Sequence, residues 1–171
     1  MFGNLGTEKD FIENFMKTTD MWKGFFPEVY PGSKSDTSDP GFINWSYWLL
    51  TELCDYYDRS GDFIFIENCR ERVEEFVSGL LSLQGDSGLI ETERAEFVDW
   101  SLANRNFALK PISIPNNCLA VYMLERLAEL YGYEEWKKTA DDMRQIINKL
   151  DTEAGIFGGG GDGASFKDGK L

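Results

Sequence analysis

The chemistry open to this chain is mainly that of carboxylates. Of its 171 residues 30 are Asp or Glu and none is His, which removes the commonest general base and transition-metal ligand. Two segments without helical periodicity concentrate acidic residues: Glu28, Asp36 and Asp39 in one, and Glu91, Glu93, Glu96 and Asp99 in the other. Because carboxylates are so abundant, most are interpreted as solvated loop charges. A catalytic one should have a raised pKa in an apolar setting.

Other motifs with chemical potential are weak. The glycine run at residues 158–161 lacks the preceding strand and the following Lys-Ser/Thr pair of a phosphate-binding loop. Cys54, Cys69 and Cys118 lack C-x-x-C spacing and are interpreted as small buried side chains. The sequence therefore predicts no metal site and no cofactor.

Charge and hydropathy exclude several partners. The formal charge of −13 repels phosphate backbones and anionic lipid, so no nucleic acid and no membrane is expected as a partner. No stretch approaches the ~20 apolar residues of a membrane span, and no signal peptide is recognisable at the start. The chain as written is expected in the cytoplasm, although a piece of a longer exported protein would look the same.

Five segments carry helical periodicity, which predicts an all-α fold. They cover about residues 8–22, 42–59, 62–84, 116–131 and 134–150. Thr7 is the predicted N-cap of the first segment, and Asn116 or Asn117 that of the fourth. The second and fourth segments are mostly apolar, which predicts inner helices, and the third and fifth are amphipathic, which predicts outer ones. Residues 151–171 form a Gly-rich tail that is predicted to be mobile.

The connections between these helices alternate in length. Residues 60–61 and 132–133 are tight turns that suit antiparallel neighbours. Residues 23–41 and 86–115 form long links that hold all five prolines. In an antiparallel series this alternation places both long links at one end, where a site would be built. The pattern predicts antiparallel helical hairpins as part of an (α/α) toroid; an ordinary helical bundle with two irregular loops is the alternative.

A set of motifs follows a recognisable order along the chain. It comprises W-K-G-F-F-P at residues 22–27, N-W-S at 44–46, D-Y-Y-D-R-S-G-D at 55–62, G-L-I-E at 88–91, F-V-D-W at 97–100 and N-N at 116–117. Together these motifs resemble the six-hairpin catalytic domain of the bacterial α-L-rhamnosidase family of glycoside hydrolases. Residues 1–150 are accordingly interpreted as a partial six-hairpin glycosidase-like helical domain.

The resemblance implies an inverting glycosidase, in which two carboxylates flank a rhamnosyl ring and tryptophans line the pocket. Trp45 and Trp100 match the pocket aromatics, and Asp99 matches the acidic residue beside the second of them. An indole against the C–H face of a sugar supplies apolar contact with fixed geometry. These three are the candidate substrate-binding residues, whereas Trp48 and Trp136 are assigned to core packing.

The chain also departs from the family pattern. The family's general acid would precede the first helix and its general base would follow Leu171, so the catalytic residues are unknown. We expect the carbohydrate-binding part of such a hydrolase, incomplete and not hydrolytic alone, that takes a rhamnosyl or related sugar; a uronic acid or a glucan is an alternative. The competing hypothesis is a non-catalytic helical interaction module that forms a homo-oligomer through its open hairpin edge.

Overall fold

Helices account for most of the protein that the computed structural model describes, namely residues 5–19, 21–31, 40–94, 96–97 and 111–154, with backbone alone for 151–154. The elements are α1 (Leu5–Met16), a 3-10 turn (Trp22–Gly24), α2 (Trp45–Ser60), α3 (Phe63–Leu81), α4 (Ile114–Tyr131) and α5 (Glu134–Ala154). Within these residues the β structure consists of isolated bridges, such as that between Gln84 and Ile90, rather than strands. The predicted all-α fold is confirmed.

Contacts divide the chain after Leu80 into two units. The first holds α1, α2 and nearly all of α3, and the second holds α4 and α5. Over the residues described, no helix combines the length and the apolar character needed to cross a membrane.

The first helix is displaced from its predicted range. It begins at Leu5, so Thr7 lies inside the helix and the predicted N-cap is wrong. It ends at Met16 rather than near Trp22, because the chain turns at Thr18. The backbone N–H and the hydroxyl of Thr18 both donate to the Phe15 carbonyl, at 3.0 and 2.6 Å, which ends the helical ladder.

The link between α2 and α3 follows from two residues. Gly61 takes the left-handed conformation, with φ of 63°, and its N–H donates to the Tyr57 carbonyl at 2.8 Å, as is typical of a helix C-cap. Asp62 then accepts a hydrogen bond from the Phe65 N–H at 3.1 Å and so satisfies a donor at the start of α3. Tyr47 near the start of α2 contacts Phe76 near the end of α3, with ring centroids 6.2 Å apart.

The segment between α1 and α2 is held by Arg72 of α3. Its guanidinium donates to the carbonyls of Thr18, Gly24 and Phe25 at 3.1, 2.6 and 3.0 Å. It also lies 4.2 Å from the centroid of the buried Phe26 ring, a cation–π distance. A single, partly buried cation thus satisfies three carbonyls of an irregular segment.

In the second unit, Asn117 organises the segment before α4. Its Oδ1 accepts from the Ile90 N–H at 2.8 Å, and its Nδ2 donates to the carbonyls of Ile90 and Ser113 at 3.1 and 2.9 Å. The predicted N-cap at Asn116 or Asn117 is wrong, because both lie inside α4 and Ser113 occupies the capping position. Asn117 uses its amide on the backbone of a distant residue instead.

The tight turn that the sequence predicted between α4 and α5 is present. Gly132 adopts φ of 76°, and its N–H donates to the Ala128 carbonyl at 2.8 Å. Trp136 is 7% exposed, which confirms its predicted place in the core. The helix α5 continues to Ala154, past the predicted end at residue 150; residues 155–171, the rest of the predicted tail, lie outside the described residues.

Candidate functional site: an aromatic groove beside the start of α2

One of the three predicted sugar-binding residues can be placed. Trp45 is the first residue of α2 and is 42% exposed. Asp99 and Trp100 lie outside the described residues, as do Asp36 and Asp39. The predicted pairing of Trp45 with Trp100 in one cavity therefore stays a prediction.

Trp45 opens onto a groove in the first unit. The groove has a volume of about 340 Å³ and is bounded by α1, the segment before α2, and α2 itself. Its described lining consists of four aromatic, two other apolar and two acidic residues: Phe11, Phe15, Trp45, Trp48, Pro27, Leu49, Glu28 and Glu52. We call this the aromatic groove.

Trp48 contributes the second exposed indole of the aromatic groove. It is 52% exposed, so its assignment to core packing is wrong. Residues three apart share a helix face, and Trp45 and Trp48 therefore line the groove together while Tyr47 and Leu50 point to the core. The i, i+3 spacing of two tryptophans was the signal in the sequence that could have identified this face.

Ser46 fixes the start of α2 against the preceding segment. Its buried Oγ accepts from the Phe26 N–H at 3.0 Å and lies 3.3 Å from the Phe26 carbonyl, to which it donates. Phe26 in turn lies under the Arg72 guanidinium. The groove residues that follow, Pro27 and Glu28, are therefore tied to the helix that carries Trp45.

Glu28 is held at the groove wall by the chain around Gly41. Its Oε2 accepts from the Phe42 N–H at 3.0 Å, and its own N–H donates to the Pro40 carbonyl at 3.0 Å. Gly41 has φ of 72°, and a Cβ at this position would lie 2.4 Å from Glu28 Oε2. Only glycine suits that backbone and that close approach.

Glu52 supplies the second carboxyl group of the aromatic groove. Burial, together with the adjacent Glu8 carboxyl, raises the pKa of Glu52, and the Arg59 guanidinium acts in the opposite direction. Arg59 donates to Glu52 Oε1 at 3.1 Å and also to Glu8. Two carboxyl groups and one guanidinium thus form a cluster at the edge of the groove.

Glu96 in the second unit behaves differently from the expected solvated loop charge. It is 8% exposed, and burial raises its pKa to about 7, an effect that the neighbouring Asn116 amide partly offsets. The Asn116 Nδ2 is buried and near enough to Glu96 to favour the ionised carboxylate, but it forms no hydrogen bond of normal geometry with a described residue. Glu96 therefore has the raised pKa in an apolar setting that was expected of a catalytic carboxyl.

No group of three or more potential metal-ligating side chains occurs among the described residues. No protein-family model, no curated protein and no solved structure matches the chain. The aromatic groove combines flat apolar faces with hydrogen-bond acceptors, an arrangement suited to binding a small ring-shaped ligand.

Proposed function

We propose that this chain is the carbohydrate-binding part of a glycoside hydrolase resembling α-L-rhamnosidase, and that a rhamnosyl or related sugar binds in the aromatic groove. The observation that carries the proposal is the exposure of two indoles, Trp45 and Trp48, on one wall of a groove that also holds Glu28 and Glu52. Asp99 and Trp100 are proposed to contribute to sugar binding by the family resemblance alone.

The physical argument begins with the indoles. Large aromatic side chains are mostly buried, and a contiguous exposed group of them usually marks a binding surface. An indole face packs against the C–H face of a pyranose, and carboxylate oxygens accept hydrogen bonds from its hydroxyls. The volume of about 340 Å³ lies within the range of small-molecule sites, roughly 300–1,000 Å³.

The architecture that fits this function is a series of antiparallel hairpins, part of an (α/α) toroid. Two observations support it. Gly61 and Gly132 close tight helix-to-helix turns in the left-handed conformation. In addition, Tyr56 near the end of α2 contacts Phe65 near the start of α3, with centroids 5.4 Å apart, and opposite ends of the two helices also contact each other.

Hydrolysis is not proposed for this chain alone. Glu28 and Glu52 are interpreted as sugar-binding acceptors rather than as a general acid and base, because both hold hydrogen bonds that fix them to the protein. The catalytic residues remain unassigned.

Binding experiments on single-tryptophan variants test the proposal. L-rhamnose and related monosaccharides should change the tryptophan fluorescence of the protein saturably, and Trp45→Ala or Trp48→Ala should weaken binding at least about tenfold. Trp100→Ala tests the part of the site that rests on the resemblance. Trp136→Phe is the matched control, since it removes a buried indole and should leave affinity unchanged. Unaltered affinity in both groove variants would contradict the proposal.

A second candidate function is a non-catalytic interaction module that forms a homo-oligomer. It is favoured by Phe63 and Ile64 at the start of α3, both of which are more than half exposed. Sedimentation velocity over a range of concentrations should then show a dimer that Ile64→Lys dissociates. A monomer at every concentration would exclude this function.

A further inference from the structure

We infer that the aromatic groove prefers ligands that carry a positive charge, so that among related saccharides it binds one bearing an amine more tightly than its uncharged derivative. This inference rests on the proposed function and specifies its ligand class. It is carried by the sign of the charges and partial charges that surround the groove.

The charged side chains at the groove wall are acidic. Among the described residues that line it, two are Glu and none is Lys or Arg. Glu8 adds a further carboxyl beside Glu52, and Arg59 is shared between these two groups. One guanidinium offsets at most one of the two, and Glu28 lies outside that cluster, so the described side chains give the groove a net negative charge.

The aromatic rings, like the carboxylates, favour a positively charged ligand. The face of an indole carries partial negative charge and attracts cations, more strongly than Phe or Tyr faces do. Trp45 and Trp48 both line the groove and are 42% and 52% exposed. An ammonium group there would meet ring faces and a carboxylate together, whereas the carboxylate of a uronic acid would be repelled by both.

The preference of the groove for an amine over its uncharged derivative should be measurable but moderate. Exposed ion pairs and exposed cation–π contacts each contribute modestly to the free energy of binding. Together they correspond to about a five- to tenfold gain in affinity for an amine over its uncharged derivative. Glu28 is the better residue to substitute, because Gln can still accept the Phe42 N–H bond, and because Glu52 shares the Arg59 guanidinium with Glu8.

Isothermal titration with matched sugars, below the pKa of the amine, tests the inference. D-glucosamine should bind about five- to tenfold more tightly than N-acetyl-D-glucosamine, and D-glucuronate should bind most weakly. High salt should reduce the difference. Glu28→Gln should remove most of this difference, because it should lower the affinity for D-glucosamine by a larger factor than the affinity for N-acetyl-D-glucosamine. Glu52→Gln is the second variant, and circular dichroism establishes that each variant is folded.

The possible failures are distinguishable. Equal binding of glucosamine and its N-acetyl derivative overturns the charge preference, while the proposed sugar-binding function stands. A preference that survives both Glu→Gln substitutions also overturns it, because the charge would then come from elsewhere. Binding of choline without binding of any saccharide overturns the saccharide and the proposed function together.

Discussion

Both long links of the chain were expected to help form a site. The structure shows that the two units differ in how the backbone is anchored and in where the acidic groups lie. In the first unit a partly buried cation, Arg72, donates to three carbonyls, and the acidic groups Glu28 and Glu52 line an open groove. In the second unit the anchor is the neutral amide of Asn117, and the acidic group Glu96 is buried.

The difference shows which acidic groups are accessible to a ligand and which change their protonation between the folded and the unfolded protein. The carboxyl group of Glu28 lies beside exposed indoles, where a ligand can reach it, whereas the buried carboxyl group of Glu96 favours its neutral form. We therefore expect ligand binding to depend on the first unit and the pH dependence of stability to depend on the second. Four substitutions, in decreasing order of expected effect, test this contrast.

Arg72→Ala should be the most damaging change, at about 4 kcal/mol of unfolding free energy, because it removes the guanidinium that donates to the partly buried carbonyls of Thr18, Gly24 and Phe25. Urea unfolding measures the cost. The matched control is Arg144→Ala, whose ion pairs with Glu125 and Asp141 are partly exposed; it should cost less than about 1 kcal/mol. Equal costs for the two variants would refute the anchoring role of Arg72.

Glu96→Gln should remove a pH dependence of stability. Since the folded pKa is about 7 against an ordinary 4.5, folded protein retains a proton that unfolded chain releases between these values. The stabilisation is complete below about pH 4.5 and is lost as pH rises through 7, by roughly 3 kcal/mol. Urea unfolding across this range should show the fall in the parent and not in Glu96→Gln. Glu93→Gln, at an exposed position, should keep the parent's slope; a flat parent profile would contradict the burial of Glu96.

Asn117→Ala should cost about 2 kcal/mol, because the Ile90 N–H and carbonyl lose the amide that pairs with both. Asn116→Ala is the natural comparison, since the Asn116 Nδ2 forms no hydrogen bond of normal geometry in the described part of the chain. Thermal or urea unfolding should rank Asn117→Ala as clearly the more destabilising. The reverse order would show that Asn117 is not the anchor of this segment.

Trp48→Ala should have the smallest effect on stability, about 1 kcal/mol, because half of the side chain is already in water. Trp136→Ala, in the core, should cost about 4 kcal/mol. The effects on sugar affinity should have the opposite order: Trp48→Ala should lower the affinity, and the conservative Trp136→Phe should leave it unchanged. A large loss of stability in Trp48→Ala would place this residue back in the core.

The sequence was informative wherever local signals decide the structure. Helical periodicity located all five described α-helices, and Gly61 and Gly132 marked the tight turns because only glycine readily takes the left-handed conformation. The helix ends were less predictable, since α1 ends through a local side-chain bond of Thr18 to the Phe15 carbonyl, and α4 begins after Ser113, whose side chain forms no capping bond.

The remaining features depend on distant partners. Asn117 bonds to Ile90, and Arg72 bonds to residues about 50 positions away. No local pattern indicates that Glu96 is buried, because its burial depends on which elements pack beside it. The i, i+3 spacing of Trp45 and Trp48 places both on one face of α2, but whether that face is exposed also depends on the neighbouring elements. The carboxyl group of Glu28 enters the groove through its bond to Phe42, again across a loop. Trp45 was predicted from the resemblance, but the wall that it forms with Trp48 required the structure.

The most direct test of the central claim uses the indole N–H signals of the five tryptophans in a ¹⁵N-edited NMR spectrum, assigned by single substitutions. Titration with D-glucosamine or L-rhamnose should move the signals of Trp45 and Trp48 saturably and leave that of Trp136 in place. Groove signals that stay fixed at saturating sugar, or a Trp136 signal that moves as far as theirs, would contradict saccharide binding in the aromatic groove.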